Sequence, residues 1–202
     1  MLLYLIRHGQ TDWNREHRVM GRTPVPLNEA GRAQVAELAR ALAAKKIPVV
    51  YTSTVERALE SARILAQLWR AELREEPRLN ESTFESWIGM TYHELSGNVD
   101  FERYFEAPTR SRFSAGEGMI EIQRRALEAV ARIVGEIGAG SAAAVSHSDV
   151  IKPVLAHYLG MPLDAIHRLA IANASATLVD FKETPPRVRY VNLAPWQWCE
   201  SV

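Results

Sequence analysis

Leu5-Ile6-Arg7-His8-Gly9-Gln10-Thr11-Asp12-Trp13-Asn14 is the stretch from which the fold can be read. With Leu2-Leu3-Tyr4 in front of it, an apolar run makes a short buried strand that stops abruptly on Arg7-His8-Gly9. A cation and an imidazole therefore stand at the C-terminal edge of a strand, where open α/β sheets place their ligand crevice. Gly9 allows either backbone angles or a close approach that a β-carbon would hinder. These residue types suit attack on phosphorus by a neutral imidazole nitrogen, with a guanidinium holding the phosphoryl oxygens. Alone, the triplet also fits a capping or core histidine.

Working outward, the elements alternate. Asn28 can cap a helix from Glu29 to about Lys45, with Ala33, Ala36, Leu38 and Leu42 as its apolar positions. Pro48 to Thr52 reads as a second strand, and Ser53 or Thr54 then caps a helix carrying Ala58, Ala62, Leu65 and Leu68. Glu72 to Glu75 is expected to be an edge strand. Met119 to about Ile137 is predicted to be a helix, Ala142 to Ser146 a strand, and Val150 to Leu159 a helix stopped by Gly160. Strands near 176–181 and 187–192 should pair antiparallel across Thr184-Pro185-Pro186. This alternation predicts an α/β fold: a mostly parallel central sheet flanked by helices on both faces.

No linker or repeat divides the chain, so residues 1–202 are read as a single domain with a cap-like insertion at about 80–118. That segment holds Phe84, Trp87, Tyr92, Phe101, Tyr104, Phe105 and Phe113, together with Arg103, Arg110 and Arg112. These could form a lid over a partly apolar, anionic substrate. Packing of most of the aromatics into a small satellite core is the favoured reading.

Composition narrows the functional classes. Of 202 residues, 47% are apolar, and Lys plus Arg balance Asp plus Glu at 24 each. No global field draws the chain to nucleic acid or an anionic membrane, so an anion site must be local. The single cysteine, Cys199, excludes an internal disulfide and stands too near the C-terminus to suggest a thiolate nucleophile. His and Cys spacing matches no zinc pattern. The first apolar run is too short for a signal peptide or membrane span, and a cytoplasmic protein is expected. Trp196, Trp198 and Leu193 could pack on the domain or form a homodimer seam.

Further polar groups recur just after strands. Arg57 falls in the first turn or so of its helix, where partial positive charge makes a cation unfavourable unless an anion is near. His147 follows the strand 142–146 directly and repeats the placement of His8. Glu81 opens the irregular segment, and Asn14 could donate to an oxyanion or simply close a turn.

Together these pieces resemble the histidine phosphatase superfamily, in the branch that includes cofactor-dependent phosphoglycerate mutases. The matching stretches are Arg7-His8-Gly9-Gln10-Thr11 with Trp13-Asn14, and Pro26-Leu27-Asn28-Glu29-Ala30-Gly31-Arg32-Ala33-Gln34. They continue with Tyr51-Thr52-Ser53, Arg57-Ala58, Leu79-Asn80-Glu81, Trp87-Ile88-Gly89, Val145-Ser146-His147 and Asn173-Ala174-Ser175. They occur in the family's order along nearly the whole chain. The resemblance implies a phosphoglycerate mutase-like fold, with His8 as the nucleophile that becomes phosphohistidine. It further implies that Arg7, Arg57 and His147 hold the phosphoryl group, that Asn14 adds a contact, and that Glu81 exchanges a proton with the leaving oxygen and then with water. No metal or cofactor is implied, and the partner is a small-molecule phosphate ester.

Departures limit what transfers. Close relatives often have Phe-Gly-x-Trp-Glu-Gly where this chain has Phe84-Glu85-Ser86-Trp87-Ile88-Gly89, and Gly-Glu-Ser in place of Gly116-Glu117-Gly118. His-Gly-Gly is replaced by His147-Ser148-Asp149. Asp149 could raise the imidazole pKa or cap the next helix, and capping is the favoured reading. The Arg-His-Tyr-Gly stretch usual in mutases is missing after Glu81. Hydrolysis of a small metabolite is therefore expected, with a mutase and a non-catalytic phosphate-binding module as alternatives.

Overall fold

Strand β1, Leu2–Arg7, is buried on both faces, with Leu3 and Leu5 in one apolar core and Tyr4 and Ile6 in the other. This computed structural model describes residues 1–111 and 117–196, apart from the side chain of Glu85. The expectations for Arg112, Phe113, Gly116, Trp198 and Cys199 lie outside the described residues.

After β1 come the short helix α1 (Asp12–Arg15), α2 (Glu29–Leu42), β2 (Val49–Thr52), α3 (Glu56–Trp69) and edge strand β3 (Glu72–Glu75). Then follow α4 (Val99–Glu106), α5 (Met119–Ile137), β4 (Ser141–Ser146), α6 (Ser148–Leu159), β5 (Ala176–Asp180) and β6 (Arg187–Leu193). The six strands lie in the order β3-β2-β4-β1-β5-β6. The first four are mutually parallel, whereas β5 runs antiparallel to both β1 and β6.

Strand periodicity assigns the helices to faces. Leu3, Leu5, Val49, Tyr51, Ala142 and Ala144 pack against α5 and α6, while Tyr4, Ile6, Val50, Ala143 and Val145 pack against α2 and α3. On α5, Ile122, Ala126, Ala129, Val130 and Ile133 repeat every three or four residues and are buried. On α2 the buried stripe is Gly31, Val35, Leu38, Ala39 and Leu42. Ala33 is exposed and Ala36 only half-buried, because the stripe runs through Val35 and Ala39 instead.

Two caps differ from expectation. Helix α3 is capped at Val55, not at Ser53 or Thr54, and Ser53 Oγ instead accepts the Val55 N–H at 3.1 Å. Helix α6 starts at Ser148 with His147 in the cap position, so Asp149 lies within the first turn and does not cap it.

Between β3 and α5, α4 is capped by the Asn98 side chain, which accepts the Asp100 and Phe101 N–H groups. Phe84, Trp87, Phe101 and Tyr104 form an edge-to-face net, with ring centroids 5.4 Å apart for Trp87 and Phe101. They are not a satellite core, since they belong to the same apolar cluster as Leu3 and Ile122. Trp196 and Leu193 pack on the second core, and Trp196 Nε1 donates to the Asn173 carbonyl. Among the described residues no helix is long and apolar enough to cross a membrane.

Candidate active site

Parallel register brings the site together. Arg7 is opposite Ser146 across β1 and β4, so the next residues, His8 and His147, leave adjacent strands side by side. Parallel strands are about 4.8 Å apart, and the two imidazole centroids are 5.2 Å apart. The ladder continues past the strands: His8 N–H donates to the Ser146 carbonyl and Ser53 N–H to that of Val145. β2 thereby delivers Ser53, and Arg57 one turn later, to the same edge.

Gly9 and Gly31 permit a close approach behind this edge. A β-carbon on Gly31 would meet the Gln10 carbonyl oxygen at 2.0 Å, and one on Gly9 would meet the Gly31 oxygen at 2.5 Å. Close packing of the strand-end loop on α2, not unusual backbone angles, is what requires glycine at both positions.

The side chains are locked by hydrogen bonds. His8 Nδ1 lies 2.7 Å from the Gly9 carbonyl, an acceptor, so Nδ1 carries the proton and Nε2 presents a lone pair. The Arg57 Nε–H donates to that nitrogen at 3.1 Å. Arg57 is fully buried, and its terminal nitrogens donate to the carbonyls of Gly21 (2.8 Å) and Thr23 (3.4 Å). His147 Nε2 is 2.9 Å from Ser53 Oγ, which itself donates to Asn80 Oδ1. That arrangement suits an Nε2–H tautomer and turns Nδ1 toward Glu81 Oε2, 3.7 Å away. Glu81 Oε2 is also 3.9 Å from an Arg57 terminal nitrogen, while Oε1 accepts the Ser82 N–H.

Arg7 donates to the Ile171 carbonyl at 2.6 Å, but its Nε is buried with no hydrogen-bond partner, as is His147 Nδ1. Asn14 Oδ1 accepts from Thr11 and from Asn173 Nδ2, closing the first turn of α1, so an anion would meet the Asn14 amide nitrogen. Asn173 also donates to the His8 carbonyl.

Electrostatics follow from this burial. Desolvation, then Arg57 and Arg7, hold the His8 pKa well below its ordinary value, which keeps the imidazole neutral. Burial and the same cations lower His147 too, so both rings are neutral and differ in tautomer and partners. Burial, reinforced by Asp149, raises Glu81 to about 7. Burial lowers Arg57 to about 10, still cationic at neutral pH.

Arg7, His8, Asn14, Arg57 and Glu81 line a cavity of about 540 Å³. His147 is fully buried and supports the wall from behind without lining it. The outer half is walled by Trp13, Phe84, Trp87, Tyr92, Phe101 and Phe105, with Arg18, Asp149 and Lys152 among its charged groups. Arg103 and Arg110, proposed from sequence as lid cations, do not line it, and Arg103 pairs with Asp100.

Residues 3–194 match the family model described as histidine phosphatase superfamily (branch 1). The chain belongs to that superfamily. Bacillus stearothermophilus YhfR has the same fold with a TM-score of 0.89, is 32% identical, and aligns over 95% of this chain and 96% of its own. A Yersinia pestis protein named probable phosphoglycerate mutase GpmB is 30% identical over 186 residues, 91% of this chain and 86% of the relative. A phosphoserine phosphatase from Entamoeba histolytica, solved in complex with 3-phosphoglyceric acid, is 25% identical with a TM-score of 0.87 over 96% and 98% of the two chains. The phosphoglycerate mutase-like fold expected from sequence is the fold observed.

Sequence reasoning offered Phe84, Trp87, Tyr92, Phe101 and Phe105 as lid residues without favouring that reading, and these do line the cavity; it missed Trp13 and the supports. Ser53, Asn80 and Asn173 fall inside the matching stretches, but nothing local marks them as partners of His147, Thr54 and His8. Asp149 carried a signal in its departure from His-Gly-Gly. Trp13 was quoted only as part of a motif, and nothing local marks it as cavity wall.

Proposed function

We propose that the protein is a metal-independent phosphomonoesterase that hydrolyses a small phosphorylated metabolite through a phosphohistidine on His8. The observation that carries this reading is the Nδ1–H···Gly9 bond, which leaves a neutral His8 Nε2 lone pair beside a buried guanidinium and a carboxylic acid. In the first step the Arg57 Nε–H hydrogen bond passes from His8 Nε2 to a phosphoryl oxygen, the freed Nε2 lone pair attacks phosphorus, the P–O bond to the leaving group breaks, and Glu81 passes its proton to the departing oxygen. In the second, water attacks the phosphohistidine, its proton goes to Glu81, and the P–N bond breaks to release phosphate.

Charge on the peripheral oxygens is met by Arg57, Arg7 and the Asn14 amide, all pre-placed by hydrogen bonds to the protein. Arg7 lines the cavity and its buried Nε has no hydrogen-bond partner among the described residues, which supports the same reading, since such an atom is costly unless a ligand satisfies it. An arriving phosphoryl dianion also favours protonation of His147, converting Nδ1 to a donor.

A screen of purified protein against phosphorylated metabolites with chelator present tests the proposal. Release of phosphate together with an acid-labile phosphoryl group on His8 is expected. Turnover that needs added metal, or no phosphoenzyme during turnover, would refute it. The name of the GpmB relative keeps a mutase as second reading, and rapid isomerisation of 3-phosphoglycerate with 2,3-bisphosphoglycerate would establish that alternative.

A further inference from the structure

One charged group in the cavity takes no part in the transfer just described. Asp149 is the second residue of α6, two positions after His147, and lines the cavity together with His8 and Glu81. Its carboxylate lies 3.9 Å from Lys152 Nζ, and buried Tyr104 lines the same cavity. Asp149 shares the cavity wall with Glu81, the residue that serves the leaving oxygen, so it borders the space a leaving group would occupy.

The outer half offers little to balance a second anion. Lys152 is already opposed by Asp149. Arg18 donates to Glu16 at 2.7 Å and to the Gly89 carbonyl at 2.8 Å. His167 hydrogen-bonds the Tyr104 carbonyl and is held neutral by burial. His17 sits at the exposed mouth. The rest of that wall is mostly aromatic.

We propose that Asp149 is a specificity-determining residue of the leaving-group end: it rejects phosphate esters whose leaving group carries a carboxylate and accepts those that present hydroxyl donors without negative charge. The inference rests on the phosphomonoesterase reading and names the substrate class for that site. An ionised carboxylate only accepts hydrogen bonds, so a substrate hydroxyl gains a charge-assisted partner there. A substrate carboxylate instead meets a like charge in a pocket with limited water, where repulsion is strong.

Glycerol 3-phosphate and 3-phosphoglycerate are suitable probes, because one has a hydroxymethyl group where the other has the carboxylate. The wild-type protein should favour glycerol 3-phosphate by at least tenfold in kcat/KM. Asp149→Asn should reduce that preference at least tenfold, about 1.4 kcal/mol. Taking a ratio cancels effects common to both esters, including any on Glu81. A preference unmoved by the substitution would overturn the proposal. The same comparison in a Lys152→Met background excludes an indirect route: the reduction persists if the Asp149 charge itself acts, and its loss there would refute the assignment. Asp149→Ser serves if the Asn variant does not fold.

Calorimetric binding of the two esters reads the ground-state part of the discrimination, and Asp149→Asn should shift that binding ratio in the same direction. A shifted binding ratio in a protein that hydrolyses no ester of the metabolite screen would sink the phosphatase reading and leave the specificity role standing. Hydrolysis with an unshifted ratio would do the reverse.

Discussion

The two ends of the cavity are built by different means. At the phosphoryl end, His8, His147 and Arg57 project from the C-terminal edge of three adjacent parallel strands, or from the first turn of the helix that follows. Each is fully or almost fully buried and tied to a backbone or side-chain partner. At the leaving-group end, the wall comes mostly from side chains of the segment after Glu81 and of residues 13–21, with Asp149 and Lys152 from the start of α6. There Phe105, Tyr92 and Arg18 remain partly or largely exposed. Sheet register fixes positions to fractions of an ångström and suits bond-making. Loop side chains can change without disturbing that register and suit discrimination.

This contrast breaks down unless losses at the phosphoryl end far exceed those at the other. His8→Ala should lower kcat/KM by about four orders of magnitude or more and abolish the acid-labile phosphoenzyme, as read by acid quench of labelled enzyme. Near-normal activity would remove the nucleophile from the scheme. Glu81→Gln should slow alkyl esters about a hundredfold or more, but p-nitrophenyl phosphate by less than about tenfold, because that leaving group barely needs a proton. Equal losses would point to a positional role.

The pH dependence sharpens the same point. Glu81 is protonated below about 7 and ionised above it, so the step that needs its proton weakens as pH rises through that value. Phosphohistidine formation from alkyl esters should fall on the alkaline side in single-turnover profiles, whereas that from p-nitrophenyl phosphate should fall little. A common alkaline limb for both would assign the titration to another group.

Effects at the leaving-group end should be smaller and fall on KM. Phe105→Ala removes part of the cavity wall where the ring is already 40% exposed. It should raise KM for aromatic esters by about three- to tenfold, corresponding to roughly 1 kcal/mol of lost contact, with kcat little changed. Arg103→Ala should be smallest, within about twofold, because an exposed pair such as Arg103–Asp100 contributes little. A large loss on steady-state assay would return Arg103 to the lid role that the cavity lining denies it.

Much of the sheet was legible because its signals are local. An apolar run ending on Arg7-His8 or on Ser146-His147 announces a strand and what stands at its end, and Gly160 stops α6 as expected. Helix caps were less legible. Ser53 is a good capping residue in isolation, yet its hydroxyl is held by Asn80 and His147, so Val55 takes the cap position. The irregular segment was least legible, since its aromatics fit either a satellite core, the reading favoured from sequence, or a lid until packing chooses between them.

The amino-acid sequence by itself determined which chemical groups end each strand, because alternating burial and chain punctuation are read within a few residues. Tertiary structure decided which of those groups meet, which imidazole nitrogen carries the proton, that Glu81 is held up near neutrality, and that Asp149 faces the pocket instead of capping a helix. Those outcomes depend on strand order and on the dielectric and charges contributed by residues far away in the chain, and no local pattern encodes either.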